Sequence, residues 1–144
     1  MNTPVTTDDP FALDGPTTSH EGKIALGRRF YDSLVARDWR ALRALLADDA
    51  TWTLPGASAV SGTLAGADAV VEHVQRIASY GVRFELLHVL VSRDHLALSL
   101  HNTAHRDGVA LDEHLATVLR SRAGRIVEIE TYLSDVPGMN AFFR

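Results

Sequence analysis

The chain contains no cysteine. That one absence excludes disulfides, thiolate nucleophiles, thiolate-ligated zinc and iron–sulfur clusters together. An excess of positive charge is missing too. Lys plus Arg total 14 against 18 Asp plus Glu, a formal net charge of -4, so nothing draws the chain to a phosphate backbone or an anionic lipid surface. Neither nucleic acid nor a membrane is an expected partner. No apolar run approaches membrane-spanning length, and no basic start leads into an apolar stretch; a cytoplasmic location is the expectation. Gly-rich phosphate loops, GxSxG elbows, HExxH motifs, aromatic–basic alternation and internal repeats are likewise absent, and no cofactor is suggested.

What is present suits one globular domain, because 46% hydrophobic residues over 144 positions can bury a real core. Residues 1–19, rich in Thr, Pro and Asp without an apolar period, read as a tail, although Phe11 and Leu13 could dock on a neighbouring surface. Residues 20–144 form the domain. Thr18 and Glu21 have capping-box spacing and open a helix whose Ile24, Gly27, Phe30, Tyr31, Leu34 and Val35 share one face. Asp38 caps a second, shorter helix with Trp39, Leu42, Leu45 and Leu46 as its stripe. After Asp48 and Asp49, alternation over Ala50, Trp52 and Leu54 marks a short strand stopped by Pro55-Gly56, followed by a loop with Ser58, Ser61 and Gly62. Helical spacing returns with Val70, Val71, Val74, Ile77 and Ala78, ended by Gly81. From Val82 to Leu133 the pattern reads as three long strands with short polar turns at Ser92-Arg93-Asp94, Asp107-Gly108 and Arg122-Ala123-Gly124. A last short helix starts near Pro137.

Helices followed by a meander of long strands predict an α+β fold with helices over one face of a sheet. The segments "LVARDWRALRALLADDATWTLPG", "SGTLAGADAV" and "AGRIVEIETYLSD" resemble the SnoaL-like and ketosteroid-isomerase-like families, with the nuclear transport factor two-like fold. The resemblance runs from about Glu21 to the C-terminus. It implies a cone: a curved, mixed, mainly antiparallel sheet wrapped by three N-terminal helices, with a pocket on the inner face and a homodimer through the outer one. It implies a small apolar or polyketide-like ligand, but no single reaction, since such families include isomerases, cyclases, epoxide hydrolases, dehydratases and non-catalytic association modules.

Pairing across the turns assigns the faces. Thr117 falls opposite Ile129, Leu115 opposite Thr131, Asn102 opposite Glu113, Leu98 opposite Thr117, Leu90 opposite Leu96 and His88 opposite Leu98. One face then carries His88, Leu98, Leu100, Asn102, Glu113, Leu115, Thr117, Ile129, Thr131 and Leu133. The resemblance places Thr117, Ile129 and Thr131 in the pocket, so this face is read as inward. With Phe30, Tyr31, Trp52 and Leu54 it makes the expected pocket wall. The reagents of the known enzymes are missing. A ketosteroid isomerase would need a carboxylate, a tyrosine and an aspartic acid where this chain has Leu54, Phe30 and Thr117. A limonene-type epoxide hydrolase would need Asp, Arg and Asp, and the matching positions are Asn102, Leu100 and Thr131.

The ionisable groups left on that face are His88 and Glu113, the two candidate catalytic residues. A histidine can exchange protons near neutral pH, yet a half-buried histidine bonded to a hydroxyl or carbonyl accounts for His88 as well. Glu113 could be a solvated rim residue, and Asn102 either orients a substrate oxygen or makes a structural amide bond. On the opposite face fall His101, His105, His114, Glu128, Glu130 and Tyr132. Strand spacing puts His101 and His105 about 13 Å apart, too far for one metal. His101 and His114 oppose each other, with Tyr132 next in line and Glu130 diagonal, but lack a clear fourth ligand. A polar dimer face explains the same residues, so no metal is expected. Two readings stand: a cofactor-independent isomerase, cyclase or dehydratase acting through His88, or a non-catalytic pocket or dimer module. A pocket roomy enough for a bicyclic ligand and open to His88 favours the first; one filled by Trp52, Phe30 and Leu98 favours the second.

Overall fold

The structure is a computed structural model and describes residues 19–144. Thr18, Phe11, Leu13 and the tail reading lie outside the described residues. Four helices and six strands follow in the order α1 (His20–Ala36), α2 (Trp39–Leu45), β1 (Leu46–Leu54), β2 (Gly62–Ala65), α3 (Ala67–Ser79), β3 (Arg83–Val91), β4 (His95–Arg106), β5 (Val109–Arg122), β6 (Arg125–Leu133) and α4 (Val136–Phe142). The strands form one open, curled sheet in the order β2-β1-β6-β5-β4-β3. β1 runs parallel to β6 and all other neighbours are antiparallel, so the sheet is mixed. The three turns of the C-terminal half join four strands, not three. β2 occupies part of the stretch read as loop, because Thr63, Leu64 and Ala65 pair back onto Thr53, Trp52 and Thr51.

The cap of α1 is Ser19, whose side chain accepts from the N–H of Gly22. Helix and sheet approach closely at Gly27, where a Cβ would meet Leu96 Cδ1 at 2.9 Å and Leu98 Cδ2 at 3.1 Å. Lys23 is buried and its Nζ donates to the carbonyls of Ser92 and Arg93, pinning α1 to the β3–β4 turn. Asp38 caps α2 by accepting from Ala41. Arg43 at the end of α2 bonds Asp48 and Asp68, so Asp48 serves the junction of α2, β1 and α3.

The faces of β4, β5 and β6 are those read from the sequence, although one hairpin differs in detail. Asp107 and Gly108 both have positive φ, as do Ala123 and Gly124, the signature of two-residue hairpin turns that match strand twist. The second turn is thus Ala123-Gly124, and a register shift between Arg120 and Ser121 adds to it. Thr117 pairs with Thr131 and Leu115 with Leu133, two residues from the expected partners, and a displacement of two keeps every side chain on its face.

β3 departs by one residue. Leu86 pairs with Leu100, but His88 pairs with Ser99 and Val91 with Leu96, so Leu87 is a bulge. A single extra residue turns everything beyond it to the other side. His88 therefore leaves the inner face and stands exposed in the outer row of Ser99, Ala116 and Tyr132. The reading that aimed His88 into the pocket is corrected.

Two buried clusters fill the inner side. One joins Leu26, Phe30 and Leu34 of α1 to Trp52, Val70, Val74, Leu98, Leu100 and Ile129. The other gathers Leu54, Val60, Ile77, Val82 and Leu111 around Met139, Phe142 and Phe143 from the C-terminal helix. Phe84 touches both.

Candidate functional site

A hollow lies at the seam of the two clusters. The space between its lining atoms, open mouth included, is about 540 Å³. Phe30, Trp52, Leu54, Leu100, Asn102, Leu115, Thr117, Thr131 and Leu133 line it, all on the expected wall. Three expected residues do not. Tyr31 is turned away and its hydroxyl donates to the carbonyl of Phe84 at 2.9 Å. Leu98 and Ile129 are fully buried in the first cluster, packed among helix side chains rather than facing free space.

The wall also includes Phe84 and Leu111, which alternation alone could have added: Phe84 pairs with Asn102, and Leu111 lies two residues before Glu113. Val74 and Ile77 come from the apolar stripe of α3. Met139 comes from α4 and Phe143 from the residue that ends it, and no local sequence pattern says that this helix folds back over the sheet.

Glu113 explains why it does. Its side chain is almost completely buried, and Oε1 accepts hydrogen bonds from the backbone N–H and hydroxyl of Ser134 and from the N–H of Asp135. Asp135 in turn caps α4 by accepting from Gly138. The far end is held by Asn140, which accepts from the N–H of Ala57, and by the Phe143 carbonyl, which accepts from Ala59. Glu113 is thus neither a rim residue nor part of the hollow's wall; it anchors the loop that seats the α4 plug.

Among the described residues, no ionisable side chain lines the hollow. Its polar atoms are few. Trp52 Nε1 donates to Thr131 Oγ1 at 3.0 Å, and the Thr131 and Thr117 hydroxyls are 3.4 Å apart. Asn102 differs, because its Oδ1 is buried and has no hydrogen-bond partner. Buried polar atoms are nearly always paired, since an unpaired one forfeits its hydration without return.

Behind Trp52, on α3, His73 meets its ring edge-on with centroids 6.1 Å apart. Burial is the main reason its pKa is lowered; the charge of Arg76 adds to the effect and a hydrogen bond with the Val60 backbone opposes it. The sequence reading did not single out this histidine.

The outer face carries a second cluster. His101 and His114 oppose each other as expected, their rings stacked with centroids 4.1 Å apart and 4° between planes. Tyr132, however, pairs with Ala116 one row along and donates to Glu130. The neighbour that joins the histidines is Asp112, which contacts His101 Nε2. The hydrogen bond from His101 is the main reason the Asp112 pKa is lowered.

With this geometry in view, a model of the SnoaL-like domain matches residues 27–129. No curated protein matches the chain. Among solved structures, Bal32a from a soil-derived mobile gene cassette is 29% identical, with a TM-score of 0.81 over 84% of this chain and 95% of the other. A protein of unknown function with a cystatin-like fold from Xanthomonas campestris is 24% identical, with a TM-score of 0.76 over 83% and 96%. An NTF2-like protein from Burkholderia xenovorans LB400 is 17% identical, with a TM-score of 0.76 over 88% and 99%.

Proposed function

The chain belongs to the SnoaL-like domain family, and from that premise we propose that it binds a small, mostly apolar molecule carrying one hydrogen-bonding group that meets Asn102. The observation that carries this reading is the unpartnered Asn102 Oδ1 in a wall otherwise made of apolar side chains and satisfied hydroxyls. A concave apolar site with a few placed polar groups is the usual form of a small-molecule pocket.

Binding rather than proton transfer is the favoured reading. General acid–base catalysis needs a titratable group within about 3 Å of the reacting proton or one water away. Of the two candidates, His88 is on the outer face and Glu113 holds the α4 loop. The neutral amide of Asn102 orients an oxygen or nitrogen without exchanging its proton near neutral pH.

Phenol and benzene test the proposal, since they share a ring and differ by one hydroxyl. Calorimetric titration should show phenol bound about 3- to 10-fold more tightly than benzene, the worth of one net hydrogen bond. Asn102→Leu should erase the difference and leave benzene binding in place. Equal affinity of the natural chain for both, or selectivity that survives the substitution, contradicts the role of Asn102.

A further inference from the structure

We propose that His101, Asp112 and His114 form a binding site for a divalent transition-metal ion of the zinc class on the outer face of the sheet, separate from the hollow. Three different positions converge there. His101 on β4 opposes His114 on β5, and Asp112, two residues before His114, shares its face and stands diagonal to His101. One ligand atom from each lies within 4.8 Å of the others. Around a tetrahedral zinc, with bonds of about 2.0–2.1 Å, donor atoms sit roughly 3.3 Å apart, so the set closes once the two imidazoles turn out of their parallel stack and point their in-plane lone pairs at one ion. An ion pair would need only His101 and Asp112. The parallel stacking of His114 on His101 brings a third donor to the same spot.

The donor chemistry selects the metal. Two imidazoles and one carboxylate suit zinc, cobalt, nickel or copper, while calcium and magnesium require oxygen shells that this cluster does not provide. Glu85 pairs with His101 from β3 on the same face and adds negative charge beside the site. His114 and Asp112 are exposed in the single chain, so three protein ligands leave a fourth position for water, an anion or, where two copies pair through this face, a group of the second copy. His105 shares the face but lies about 13 Å along the strand from His101, beyond reach of the same ion.

The test is zinc titration of the full, tag-free chain in competition with a chromogenic chelator, together with the cobalt(II) absorption spectrum. One equivalent of zinc should bind per chain, and cobalt should give the visible bands of a four-coordinate ion. His114→Gln and Asp112→Asn should each weaken zinc at least ~10-fold, a loss seen even for residues that only support metal ligands. His105→Gln should leave affinity unchanged. No binding at about a tenfold excess of zinc, or affinity unaltered in either ligand variant, overturns the site. All three substitutions are at exposed or half-buried surface positions, and an unchanged circular dichroism spectrum verifies folding in each.

Discussion

Asn102 is where stability and recognition pull in opposite directions. A buried amide oxygen without a partner costs about 1–3 kcal/mol of folding free energy. Asn102→Leu replaces it with an apolar side chain of similar size and should raise stability by about 1 kcal/mol in urea denaturation; a loss of stability would mean the amide is bonded in the empty protein. His73 gives a second prediction, through pH. Its folded-state pKa is lowered, chiefly by burial, so as pH falls the unfolded chain takes up this proton first. The His73 contribution therefore diminishes as pH drops through the ordinary histidine value, and becomes constant once the folded form is protonated as well. His73→Gln should flatten that part of the stability profile between neutral pH and pH ~5. Identical slopes for the two proteins would remove His73 from the account.

At the scale of elements, α4 and the β5–β6 hairpin depend on Glu113. Glu113→Gln weakens three hydrogen bonds to the loop before α4 and should release the plug locally. Amide exchange at Met139 and Phe143 should accelerate by about tenfold, the equivalent of one charge-assisted bond reduced to a neutral one, while β4 is little changed. Unaltered exchange in α4 would show that apolar packing alone seats it. The way α4 closes the hollow was hidden in the sequence, because Glu113 and Ser134 are far apart in the chain and their contact follows from tertiary placement. Strand faces were more legible. Alternation and the Asp107-Gly108 turn give the Asn102–Glu113 pairing correctly, and the two-residue error at Ala123-Gly124 leaves the faces intact. His88 was misplaced because the bulge at Leu87 sits in an unbroken apolar run, Leu86-Leu87-His88-Val89-Leu90, where no glycine or charge marks it. Asp112 joins the histidine pair as the diagonal neighbour along β5, a position that pairing towards β6 does not reveal.

For the whole molecule, the outer face is the surface on which an assembly would form. Its middle rows are small or apolar, with Ala97, Ser99, Ala116 and Val118 half-buried between the exposed Leu90 and Tyr132. We predict that two copies pair through this face, since a sheet covered by helices on one side leaves the other in need of cover. Sedimentation velocity at micromolar concentration should show a dimer, and Ala116→Lys should give a folded monomer; a strict monomer for the natural chain contradicts this. No helix among the described residues is long and apolar enough to cross a membrane.

The central claim is that the hollow takes a ligand which meets Asn102, and the sequence supplies a clean reporter. Of the chain's 2 methionines, Met1 begins it and Met139 lines the hollow. In protein labelled with 13C at the methionine methyls and 15N at the asparagine amides, phenol should shift the Met139 methyl and the Asn102 side-chain amide together, with NOEs from the phenol ring to Met139. Benzene should shift Met139 alone. Shifts confined to other residues, or a Met139 methyl that responds to neither compound, would contradict the account.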